Sequence, residues 1–198
     1  MSHSPNAQPA VDGPTAHAPH AASADGRTKR QLRAVVAQRL RSRAADAVAS
    51  LDWDALDAAP GWLALPDAEL QRFEAQVGAI LCAPMLKLWI DGPRLSAARA
   101  ALGAGFLQAL RALPSTQILP SNVAPCPRID SAEQVAAQLR STGASVLLAS
   151  MQPGPLRLVV AAAMAPATPA AMVAPLAQSL IAQAITLAER PADTGSRA

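Results

Sequence analysis

"LQRFEAQVGAILCAPMLKLWIDGPRLSAARAALG", residues 70–103, sets Leu70, Phe73, Val77, Ile80 and Leu81 at helical spacing, then breaks at Pro84 and again at Asp91-Gly92-Pro93. Apolar residues three and four apart share one face of a helix. The stretch therefore predicts a helix over 67–81 and a short helical piece over 85–90. A third helix is predicted over 93–113, with Leu95, Ala98, Leu102, Phe106, Leu110 and Leu113 on one face. Glycine closes helices and proline suits a first turn, so Gly92-Pro93 separates the last two.

The same reading extends in both directions. Residues 1–26 are rich in Pro, Ala, Ser and His without periodicity, and are predicted to be a disordered tail. Residues 27–51 form a basic amphipathic helix in which Leu32, Val35, Val36, Leu40, Ala44 and Val48 make the apolar stripe. Asp52, Trp53, Asp54 and Asp57 suggest a short helical turn that breaks at Pro60-Gly61. Toward the C-terminus, 114–127 carries four prolines and reads as a loop. Ser131 with Gln134 fits a capping box opening a helix to about Met151. Leu156 to Val160 alternates and is β-branched, which admits one short strand. A last helix opens at Thr168-Pro169 and carries Val173, Leu176, Leu180, Ala184 and Leu187, before a frayed end at 191–198. The expected fold is mainly α: one helical domain over 52–190, preceded by the basic helix and the tail.

Composition agrees with helices. Of 198 residues 51% are hydrophobic, yet only 3% are aromatic, so alanine, the best helix former, carries much of the total. The formal charge of +3 is uneven, because residues 1–50 alone hold +4 and the remainder −1. The N-terminus has no apolar run of the signal-peptide kind, and Pro166, Pro169 and Pro175 interrupt the longest apolar run, so no membrane span is expected. Cys82 and Cys126 could pair, but two cysteines without a secretory leader read as ordinary thiols in a reducing compartment.

Chemistry finds little support. His3, His17 and His20 all fall in the predicted tail, where no imidazole is held against a partner. The cysteines lack CxxC spacing and an ordered histidine, so a zinc site fails by ligand count. Asp52, Asp54 and Asp57 lack the central glycine and closing glutamate of a calcium loop. Gly103-Ala104-Gly105 has neither a preceding strand nor a third glycine, and no phosphate-binding loop or nucleophile elbow occurs. No catalytic, cofactor or metal residue is assigned, and an enzyme is not expected. Two features remain. Arg30, Arg33, Arg39, Arg41 and Arg43 form a candidate basic patch that could neutralise phosphates, although it lacks stacking aromatics and a solvated face is the simpler reading. Trp53, Trp62 and Trp89 are candidate partner-binding residues, since tryptophan is enriched at hot spots; in so aromatic-poor a chain they also suit the core.

Several motifs in the opening stretch carry a resemblance. A helix ends in a glycine-plus-aliphatic run (Gly78 to Leu81), a basic residue precedes an aliphatic pair (Lys87, with Leu88 and Ile90), and a helix ends in Leu102-Gly103. A second patch, "LRSTGASVLLASMQPGP" at 139–155, has a Thr-Gly step, a Leu-rich run and a Met followed by a proline turn, and "RLVVAA" after it would match a short strand region. Over roughly residues 65–190, about one domain, the chain resembles the SctK/YscK family of type III secretion accessory proteins. Pro84 and the alanine-rich C-terminal half depart from the pattern. The resemblance implies a mainly helical, non-enzymatic adaptor of the cytoplasmic sorting platform, peripheral to the inner membrane. It would link the cytoplasmic domain of the SctD-type inner-ring protein to the SctQ-type pod protein, without cofactor or small-molecule substrate. The alternative is a small helical nucleic-acid-binding or regulatory protein acting through the basic helix.

Overall fold

The computed structural model describes residues 21–49, 51–114, 126–166 and 172–189, with side chains from Lys29 onward except that of Trp53. Among these residues there are nine α-helices and no strand: α1 (Ala21–Arg43), α2 (Ala45–Val48), α3 (Asp67–Leu81), α4 (Ala83–Leu88), α5 (Gly92–Leu102), α6 (Ala104–Ala112), α7 (Ala132–Ser150), α8 (Pro155–Met164) and α9 (Ala174–Ala188). Two 3-10 segments, Trp53–Ala58 and Gly61–Ala64, link α2 to α3.

α3 and α7 form the centre and pack against each other more extensively than any other pair. Every residue from Glu74 to Leu81 in α3 and from Thr142 to Ala149 in α7 is buried. A helix apolar or small all round belongs inside a core. The crossing is close because each helix offers a glycine to the other. A Cβ on Gly78 would overlap the carbonyl oxygen of Leu139, and one on Gly143 would overlap that of Glu74. α5 and α9 pack on this pair and, with α4 and α6, complete the larger apolar cluster. Gln76, buried there, donates from Nε2 to the carbonyl of Leu102 at 3.1 Å, satisfying an acceptor that the end of α5 leaves open.

A smaller cluster lies between α1 and α8, where Val36, Leu40, Leu56, Leu63, Leu156 and Val160 are buried together. Trp62 packs against both clusters and joins them. No helix among the described residues is long and apolar enough to cross a membrane.

Several expectations need correction. The short helical piece over 85–90 is α4, Ala83–Leu88: Pro84 stands in its first turn rather than breaking the chain, and Trp89 and Ile90 lie past its end. The short strand at 156–160 is instead the first half of α8. Pro155 supplies a first-turn φ, and Leu156, Val159 and Val160 are buried at i, i+3 and i+4 while Leu158 points out at 73% exposure. The single helix over 93–113 is two helices, because Gly103 adopts φ +88, which a non-glycine residue adopts only with strain. Cys82 and Cys126 are bonded as a disulfide, with Cα atoms 5.1 Å apart, rather than standing as free thiols. The basic helix runs through Ala21–Arg43, and 44–51 continues only as the single turn α2. Of the tail expected over 1–26, residues 21–26 are the start of α1 and 1–20 lie outside the described residues, as do Thr168-Pro169, 191–198 and the histidines. The last helix begins at Ala174, with Val173 its extended N-cap, 68% exposed rather than on the buried stripe.

Candidate partner-binding surfaces

The arginines of α1 are placed first by the helix and then by their partners. Val36, Ala37 and Leu40 seat α1 against α8 and the 3-10 segments, which carries Arg33, Arg39 and Arg43 along the same contact. Arg39, whose side chain is only 10% exposed, donates to the carbonyls of Leu63 and Leu65 and pairs with Asp67 at 3.1 Å. Arg43 meets the same Asp67 carboxylate at 3.2 Å, and Arg33 pairs with Asp57. Arg30 and Arg41 are exposed. Three members of the sequence-predicted patch thus face the chain's own oxygen atoms. Planar guanidinium forks suit such multiple acceptors. Here the arginines fasten α1 to the body.

Near that contact, Glu74 is 8% exposed on α3. Burial raises its pKa from the ordinary 4.5; the charges of Arg43, Arg140 and Arg39 oppose that shift without overcoming it. No cluster of three or more His, Cys, Asp or Glu among the described residues could hold a metal ion.

Trp62 and Trp89 sit in different places. Trp62 is half-buried at the seam of the two clusters, and Trp89 is 5% exposed within the larger one. The side chain of Trp53 lies outside the described residues. Trp89 is held from above by Arg94, whose guanidinium carbon stands 5.2 Å from the ring centroid, and its carbonyl accepts from Arg111 Nη1 at 3.2 Å.

Two aliphatic side chains stand in the open on either side of Trp89. Leu88 is 80% exposed and Ile90 94% exposed. The backbone at Trp89 and Asp91 is extended, so successive side chains alternate, sending Trp89 inward and Ile90 outward. The sequence signal was present in the run Leu-Trp-Ile just before a helix-capping aspartate, but alternation over three residues does not say which face is wet. Leu158 makes a second exposed aliphatic position on α8, on an apolar ledge with Pro153 and Pro155. These prolines also line a groove of about 410 Å³ with Pro60, Met151 and Leu156. No protein-family model, curated protein or solved structure matches this chain.

Proposed function

We propose that the chain is a non-enzymatic adaptor of the SctK/YscK type, joining the SctD-type inner-ring protein to the SctQ-type pod protein on the cytoplasmic face of the secretion platform. One observation carries the reading beyond the resemblance. Two of the exposed aliphatic patches lie apart, Leu88 and Ile90 beside the larger core cluster and Leu158 beside the smaller one, while Val35, Val173 and Ile185 are exposed as well. A linking protein needs two faces held by one rigid body. The glycine-to-glycine crossing of α3 and α7 supplies the rigidity, and Trp62 ties the clusters that carry the faces.

The test is co-purification of the full chain with the pod protein and, separately, with the cytoplasmic domain of the ring protein from the same bacterium at moderate salt. A stable complex with each supports the reading. Failure to bind either, with the protein folded, removes it.

A further inference from the structure

We infer that the Leu88–Ile90 face docks an acidic segment of another protein, one that presents aliphatic side chains between carboxylates. This deepens the adaptor reading by naming the partner's chemistry, and rests on it only for there being a partner.

Charge argues for the acidic occupant. Between residues 82 and 114 the chain carries Lys87, Arg94, Arg99 and Arg111, with Asp91 the only carboxylate. That carboxylate is already committed, since Asp91 caps α5 by accepting from the Arg94 amide at 2.8 Å and also pairs with the Arg94 side chain. Among the described residues no carboxylate lies within 4.0 Å of Lys87 or Arg111. Both cations are bound only to carbonyls, Lys87 to that of Leu113 and Arg111 to that of Trp89. They therefore stand fixed beside the exposed pair with their charge unanswered. A partner that covers Leu88 and Ile90 brings its rim against them, and carboxylates there complement the field.

The platform is also ordered in advance. Trp89 is anchored in the core beneath Leu88 and Ile90 by Arg94 and Arg111. Two anchors on a fixed backbone lose little entropy on binding. The apolar part is two side chains at a helix junction, whereas a membrane-surface element is a helix with a long apolar face. This favours a protein partner.

The probe is a fluorescein-labelled peptide alternating glutamate pairs with leucines, titrated with the full chain and followed by anisotropy. Saturable binding is expected, weakening as salt rises. It should fall about tenfold or more in the double variant Leu88→Ser/Ile90→Ser. Arg111→Gln, which removes the charge, should weaken it in a chain whose circular dichroism shows the helices still folded, and Arg111→Lys, which keeps the charge, should restore part of the binding. The inference is overturned by no saturable binding, by equal binding of the same peptide with lysine for glutamate, or by binding indifferent to the double variant and to Arg111→Gln. It is also overturned if the face is used only by phosphatidylserine vesicles or by a second copy of this chain, read by flotation and by sedimentation. Wild-type chain that captures the ring or pod protein but not the peptide leaves the adaptor standing without this surface. Peptide binding without capture of either neighbour leaves the surface and removes the adaptor.

Discussion

Gly143 has no side chain because the carbonyl of Glu74 occupies the place of one. Alanine is the better helix former by roughly 1 kcal/mol, so in an open helix Gly→Ala would stabilise. Here the obstacle is backbone on the opposite helix, which cannot rotate aside, and overpacking of this kind costs roughly 1–3 kcal/mol or more. Gly143→Ala and Gly78→Ala should therefore each show a net loss of about 2 kcal/mol in urea unfolding. Gly92→Ala, where nothing stands within 4 Å, should stay within about 0.5 kcal/mol. An unchanged midpoint for Gly143→Ala would mean that the helices separate freely. Glu74 adds a pH dependence at the same crossing. Its folded pKa lies above the ordinary 4.5, so the folded state holds the proton more tightly than the unfolded one. The stability this contributes is complete in acid and declines as pH rises from the ordinary value through the folded one. Glu74→Gln should flatten that decline. Parallel stability curves for wild type and variant between about pH 4 and pH 8 would assign the decline to another group.

At the scale of elements, α1 is held by a short apolar contact and by Arg39. Replacing Arg39 with alanine removes the donor to two carbonyls and half of the Asp67 bridge. A loss of about 2 kcal/mol is expected. Amide exchange should quicken in α1 ahead of α3 and α7, because the larger cluster does not include α1. Arg39→Lys should recover only part, since one ammonium cannot reach three acceptors as a fork does. Exchange that quickens evenly everywhere would show that α1 is no separate unit. This element also shows what can be read from sequence. The apolar stripe of α1 was legible at Val36 and Leu40, while Val35 in the same pattern is 46% exposed and Ala37 is buried instead. Period alone gives a face to within about one residue. α3 was legible at its start behind Pro66, whereas Pro84, read as a break, falls in the first turn of α4. The break at Gly103 was hidden, since glycine is tolerated in a helix and only its positive φ reveals the bend. α8 was misread because so short a run, Leu156 to Val160 with four aliphatic residues around Arg157, fits either period. Leu88 and Ile90 belong to the motif that carries the resemblance, but their exposure depends on what α5 and α6 cover, which is tertiary information.

Across the whole molecule the disulfide decides how tightly the outer helices are held to the centre. Cys82 is fully buried at the turn from α3 to α4, and Cys126 lies ahead of α7. Their bond spans 44 positions and encloses α4, α5 and α6. In the chain-entropy account a closed loop of that size is worth about 4 kcal/mol. Cys126→Ser should lose about that much in urea unfolding, and a dithiol reductant should bring the wild type to the same midpoint. The α3–α7 crossing and the α1–α8 cluster lie outside the loop, so helicity by circular dichroism should survive reduction. A midpoint indifferent to reductant would mean that the two cysteines are not bonded in the folded protein, or that residual structure in the unfolded chain already restrains the loop. The outcome bears on the adaptor reading as well. On that reading a cytoplasmic partner would meet the dithiol form, and the proposal then requires binding at the reduced level of stability. If reduction abolishes binding while α3 and α7 stay folded, the Leu88–Ile90 face, which sits inside the loop, is the part that depends on the bond.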